Sequence, residues 1–242
     1  WMVADNSADD VFSYAGANEA RLRDVLAAAL LVESPAVRAT LYPHVSTQLG
    51  RGGDALIAAS LEVISRIPGH ETDIIRDLSA LIKAGRQSAT AIGVIKTIPD
   101  KHWQPGPARS LVDHLVASYT ELPAKDRTQP APQEAVSLAR RLAKLLPAAQ
   151  AAEIEQRLAN ADVRVIAIGT VPERMIYDKD RIVVQAGRPV ELRFSNTDFM
   201  PHNLAIIKPG TLEEIGMLSE ATAQSPDAVK LQYIPKSPHV LL

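Results

Sequence analysis

Apolar residues recur every three or four positions through the first two-thirds of the chain. This spacing places apolar side chains on one face of a helix, so the pattern predicts a series of amphipathic helices. Each predicted helix is short and cannot bury its apolar face alone. Four of these stripes are Leu22, Val25, Leu26, Ala29 and Leu30; Ile57, Leu61 and Ile64; Ile74, Leu78 and Leu81; and Val112, Leu115 and Tyr119.

Glycine and proline separate the stripes, as at residues 50–53 and 67–69. Short helices joined by short turns are typical of an α-solenoid of the HEAT type. The breaks do not recur at one fixed period, so an irregular helical bundle is the alternative. We therefore predict an all-α domain, a HEAT-like solenoid or a bundle, over residues 1–123. Residues 124–160 are predicted to be a polar connector followed by linking helices.

The apolar period changes near residue 160, and the change predicts a second domain over residues 161–242. Residues 163–168, 182–185 and 190–194 are rich in β-branched residues or alternate between apolar and polar, which predicts strands. Residues 186–189 are predicted to form a hairpin turn between the second and third of these strands.

Composition excludes several classes of function. The formal net charge of −2 argues against a nucleic-acid-binding surface. No apolar run approaches the ~20 residues that span a bilayer. The sequence contains no cysteine, which excludes disulfides and zinc–thiolate sites within it. No catalytic constellation is recognisable in the sequence.

Candidate chemistry is concentrated in residues 196–204, Asn-Thr-Asp-Phe-Met-Pro-His-Asn-Leu. We predict that His202 begins a strand whose residues Leu204 and Ile206 face inward, with Phe199 screening the imidazole. Asp198 is interpreted as a turn residue. His239 is predicted to be exposed to solvent.

This motif resembles the stretch that carries the first copper ligand in plastocyanin/azurin-type (cupredoxin) domains. The region from about residue 122 is similar to the C-terminal part of large bacterial proteins that join a dehydrogenase-like β-propeller, HEAT-like helices and a terminal copper domain. The resemblance covers about half the chain and is loose for the helices. Besides the His202 motif, the matching pieces are residues 163–166 (VRVI), 169–172 (GTVP), 175–178 (MIYD) and 184–187 (VQAG).

The resemblance implies electron transfer through a type 1 copper site within a larger oxidoreductase-like protein. His202 would be a copper ligand, and Asn203 would orient the loop that carries the cysteine ligand. A redox partner domain or protein and a location in the periplasm or at the cell surface are also implied.

The thiolate, second histidine and methionine of such a site are not in this sequence. We expect them to follow Leu242, so that these residues form an incomplete cupredoxin-like β-sandwich and bind no type 1 copper by themselves. The alternative is a degenerate, metal-free sandwich that forms a protein-interaction module together with the α-solenoid.

Overall fold

The computed structural model of the protein describes residues 8–174 and 176–242. The chain divides into two compact units, Trp1–Asp162 and Val163–Leu242, which are described separately below. Residues 1–7 of the predicted helical domain, and Met175 of the matching piece 175–178, lie outside the described residues.

The regular secondary structure described in the first unit is entirely helical, with short turns between the helices. A 3-10 turn (Asp100–His102) precedes the helix that begins at Pro105. Proline occupies the first turn of four helices, where the missing N–H costs no hydrogen bond. The helices are α1 (Ala8–Ala15), α2 (Glu19–Ala29), α3 (Pro35–Thr40), α4 (Tyr42–Arg51), α5 (Asp54–Ile64), α6 (Glu71–Lys83), α7 (Ser88–Lys96), α8 (Pro105–Glu121), α9 (Ala124–Arg127), α10 (Pro130–Ala143) and α11 (Ala148–Ala161).

One apolar core joins these helices. Leu26, Ile57, Leu78, Leu111 and Leu138, from five different helices, have no exposed surface. Helices that follow one another pack together, as α4 does on α5 and α6 on α7, and α10 packs on α8. The helical part of the sequence prediction agrees with this arrangement. The residues predicted to form a connector and linking helices, 124–160, form α9 to α11 within the same unit.

The described residues of the second unit form a small parallel sheet and one helix. Strand β1 (Arg164–Gly169) pairs with β2 (Val190–Ser195) in parallel register. Isolated antiparallel bridges join Thr170 to Tyr177 and Ile207 to Val240. Helix α12 (Leu212–Ala223) follows β2 along the chain.

The predicted β-sandwich is wrong. Among the described residues, β1 and β2 are the two strands of a single sheet. The predicted strand at residues 182–185 belongs to no ladder, and Val183 is 61% exposed. The predicted hairpin is also wrong, because β2 pairs with β1 in parallel and not with the segment before it. A strand-like sequence pattern indicates that a segment can form a strand. The strand forms only if a neighbouring strand offers an edge with unpaired backbone groups.

The strand predicted to begin at His202 is absent as well. Residues 201–206 are irregular, and Ile207 contributes an isolated bridge. Pro201 and Pro209 flank this segment, and each removes a backbone donor that a continuous ladder would use. The inward orientation predicted for Ile206 is wrong, since that residue is 37% exposed.

The core of the second unit is small. Its buried residues in the described part of the chain are Ile166, Ile168, Thr170, Ile215, Ala228 and Pro235. Within the described residues, no helix combines the length and the apolar character that crossing a membrane would require, in agreement with the prediction.

Candidate functional site

The candidate site lies in the loop after β2, at the carboxyl end of the sheet. Thr170, just beyond β1, donates from its hydroxyl to Oδ1 of Asn196 (3.1 Å). The backbone N–H of Asp198 donates to the same oxygen (3.0 Å), and Nδ2 of Asn196 donates to the carbonyl of Met200 (2.7 Å). An asparagine that bonds to the backbone of its own loop stabilises a tight turn. These bonds fix the loop that carries Asp198.

The turn directs the Asp198 carboxylate onto the ring of His202. Nε2 of His202 lies 3.2 Å from Oδ2 of Asp198, and the two side chains are 9% and 0% exposed. The backbone N–H groups of Phe199 (2.7 Å) and Glu173 (3.2 Å) also donate to this carboxylate. Burial alone would raise the pKa of Asp198. The hydrogen bonds from His202 and from the backbone of Phe199, Met200 and Glu173 outweigh burial and lower that pKa.

The ionised carboxylate determines the tautomer of His202. A carboxylate can only accept hydrogen bonds, so a neutral imidazole must carry its proton on Nε2. Nδ1 then keeps its lone pair, and no hydrogen bond to another described residue occupies it. Metal-binding histidines commonly have this arrangement. A carboxylate accepts a hydrogen bond from one ring nitrogen, and the other ring nitrogen keeps a lone pair that can bind the metal.

His202 also lines an open groove of about 1270 Å³. Apolar walls come from Ile176, Leu192 and Phe194, among others. Asn203, next to His202, donates from Nδ2 to the carbonyl of Gln232 (2.9 Å). Its own carbonyl accepts a hydrogen bond from the Tyr177 hydroxyl (2.6 Å). The residues on both sides of the groove therefore hold the backbone next to His202 in place.

The side chains at this site that could bind a metal provide only part of a type 1 copper site. No group of three or more His, Cys, Asp or Glu side chains with metal-binding geometry occurs within the described ranges. A type 1 site needs a thiolate, and the sequence has no cysteine. This chain supplies one imidazole and the carboxylate that orients it.

Two features of the site differ from the sequence analysis. Phe199 does not screen His202, because its side chain is 83% exposed. Asp198 is a turn residue as predicted, but its contact with His202 was missed. The four-residue spacing of an acid and a histidine was the available signal, although outside a helix that spacing does not establish contact.

Asn203 contacts residues 228–234 through Gln232, whereas its expected partner, the cysteine-bearing loop, is not in this sequence. His239 is less exposed than predicted: Nδ1 lies 3.0 Å from Oε2 of Glu214, and the side chain is 35% exposed.

No family model, curated protein or solved structure matches the chain significantly. The function of the site therefore has to be inferred from its geometry and from the sequence motif.

Proposed function

We propose that residues 163–242 are the histidine-bearing part of a copper-dependent electron-transfer domain within a larger oxidoreductase-like protein. His202 is the copper ligand that this chain contributes. The thiolate, second imidazole and thioether come from residues outside this sequence. The parent protein exchanges electrons with a redox partner in the periplasm or at the cell surface.

The proposal rests on which ring nitrogen of His202 is free to bind a metal. Asp198 holds Nε2, while Nδ1 has a free lone pair on a ring that lines the groove. A copper ligand needs a ring nitrogen with a free lone pair in a fixed orientation, and the buried carboxylate fixes both the orientation of the ring and the tautomer of its neutral form. Asn203 supports the same role, because its side chain and carbonyl fix the adjacent backbone.

The proposal is tested on the full gene product that contains this chain. We expect the purified, copper-loaded protein to show the intense visible absorption of a copper–thiolate bond. His202→Ala should abolish that absorption and leave the far-UV circular dichroism spectrum unchanged. The matched control is His239→Ala, which removes a histidine of the same unit that is paired with Glu214. A blue spectrum that survives His202→Ala would contradict the proposal.

The second candidate is a metal-free protein-interaction module. The large apolar side chains exposed in the second unit favour it, among them Val183 (61%), Phe199 (83%) and Val229 (75%). Copper titration of the same gene product separates the two candidates. Failure to bind copper with a thiolate signature, together with a folded second unit, would favour the interaction module.

A further inference from the structure

The helical unit contains a cleft of about 580 Å³ between α6 and the first turns of α8. Ligand-binding pockets commonly have volumes of about 300–1,000 Å³, so the cleft can hold a small organic molecule. The cleft exists because α8 begins with Pro105, Gly106 and Pro107, whose side chains are small or absent. A methyl group built on Gly106 would meet no atom within 4 Å.

The wall formed by α6 has an apolar floor and a cationic end. Ile75 (3% exposed) and Ser79 (8% exposed) are the buried residues of this wall. Residues three and four positions apart share a helix face, so Ile75, Arg76, Ser79, Ala80 and Lys83 line one side of the cleft.

The two cations of the cleft differ in their partners. Arg76 is neutralised by Asp73 (2.7 Å) and Asp77 (3.2 Å). Lys83 donates to the hydroxyl of Ser110 (2.7 Å), and no acidic side chain within the described ranges forms an ion pair with it. The cleft therefore presents one uncompensated positive charge, at its Lys83 end.

Ser79 provides an independent indication of a ligand. Its hydroxyl is buried and has no hydrogen-bond partner within the described part of the chain. Buried hydroxyl groups almost always have a partner, and a serine in a helix can usually bond to the carbonyl four residues earlier. The hydroxyl is buried in this structure, but Ser79 lies one helical turn from Lys83, so rotation about its Cα–Cβ bond toward the cleft would let a single acceptor group bind both side chains.

We propose that this cleft binds a small organic monocarboxylate with an apolar body. The carboxylate accepts hydrogen bonds from Lys83, Ser110 and Ser79, and the apolar body lies on Ile75, Ala80 and Pro107. One free cation matches a single negative charge. A phosphate dianion would need more donors than these, and it would gain nothing from the apolar floor. This site lies in the helical unit and does not depend on the proposed role of His202.

The test is calorimetric titration of the intact chain with sodium octanoate. Octanoate should bind. Three comparison ligands each differ from it in one feature: 1-octanol lacks the charge, octylammonium has the opposite charge, and acetate lacks the apolar body. We expect each of these three to bind at least about tenfold more weakly than octanoate. The two ligands without a negative charge lose a charge-assisted hydrogen bond, and acetate loses the burial of the apolar chain. Equal affinity for octanoate and 1-octanol would overturn the proposal.

Substitutions inside and outside the cleft show where octanoate binds. Lys83→Met removes the charge and should weaken octanoate binding about tenfold. Gly106→Leu fills the cleft and should abolish binding. Lys144→Met and Gly93→Leu are the matched controls, since both residues are exposed in the helical unit and neither lines the cleft. Circular dichroism verifies the fold of each variant. Octanoate affinity that persists in Lys83→Met and Gly106→Leu would assign the binding to another surface and refute the proposal.

Discussion

Asp198 and His202 form a buried pair in which Oδ2 of the carboxylate lies 3.2 Å from Nε2 of the imidazole. His239 has the opposite arrangement, because Glu214 faces its Nδ1 at 3.0 Å. Each carboxylate accepts a hydrogen bond from the ring nitrogen that it faces. The two histidines of one compact unit should therefore be different tautomers.

This difference gives the first prediction. In their neutral forms, His202 should carry its proton on Nε2 and His239 on Nδ1. Asp198→Ala should convert His202 to a mixture of tautomers and leave His239 unchanged. Long-range ¹H–¹⁵N NMR correlations of the imidazole rings distinguish the two forms. An Nδ1–H tautomer at His202 in the unmodified chain would show that Nδ1 is not available to a metal.

The second prediction concerns Arg127, which binds three backbone carbonyls. Its guanidinium donates to Thr120 (2.7 Å), Leu122 (2.8 Å) and Ala161 (3.0 Å), and so joins the ends of α8 and α11. A lysine ammonium cannot reproduce this planar set of donors. Arg127→Lys should lower the free energy of unfolding by about 2–3 kcal/mol, because two carbonyls lose their bonds.

Urea denaturation followed by circular dichroism measures the effect of Arg127→Lys. Arg23→Lys is the control, since Arg23 is exposed on α2. A change at Arg127 no larger than that at Arg23 would mean that water replaces the guanidinium at the carbonyls without cost.

The third prediction follows from Tyr42. Burial, together with the hydrogen bond to Asp77 (2.8 Å), raises the pKa of Tyr42 to about 12. The folded state therefore holds this phenol proton more tightly than the unfolded state, whose tyrosine pKa is about 10. The resulting stabilisation is fully present below about pH 10 and is lost as the pH rises toward 12.

Tyr42→Phe isolates this contribution. The difference in unfolding free energy between the unmodified chain and the variant should shrink by about 2–3 kcal/mol between pH 10 and 12. Lysines and other tyrosines also titrate in this range, but their contributions to the unfolding free energy are the same in both proteins and cancel in the difference. A difference that stays constant across this pH range would contradict the raised pKa.

The helices were predictable because their signal is local. Stripes such as Leu22, Leu26 and Ala29 face the core as their spacing indicates. Contacts between distant parts of the chain were not predictable in the same way. Arg141 donates to the carbonyls of Lys96 and Ile98, more than 40 residues earlier, and no spacing within the sequence indicates such a pair.

The second unit was harder to predict for the same reason. Strand β1 lies where a β-branched run predicted it, and β2 lies where apolar and polar residues alternate. Their parallel pairing depends on the long connection between them, and a run of apolar residues does not specify its partner. The motif at residues 196–204 predicts His202 as a candidate ligand, whereas the contact of Asp198 with His202 depends on the turn around Asn196, which the sequence does not specify.

The last prediction concerns the stability of the two units. The principal apolar core extends from Phe12 to Ala161 and lies wholly in the first unit. The buried residues of the second unit are few, and Val183, Phe199 and Leu242 are among its exposed apolar side chains. A small domain with little buried apolar surface is only marginally stable, because burial must offset the conformational entropy lost on folding.

Expressed alone, residues 1–162 should therefore unfold in one cooperative urea transition, with the helical circular dichroism that they have in the full chain. Residues 163–242 expressed alone should show a broad transition at low urea and poorly protected amides in hydrogen exchange, except near the β1–β2 pairing. Ile166→Ala should abolish the residual protection, because Ile166 is buried and lies in the paired strand. Val183→Ala, at an exposed position, is the control. A sharp transition for residues 163–242 alone would mean that this small core suffices, and that the exposed apolar side chains are not needed for folding.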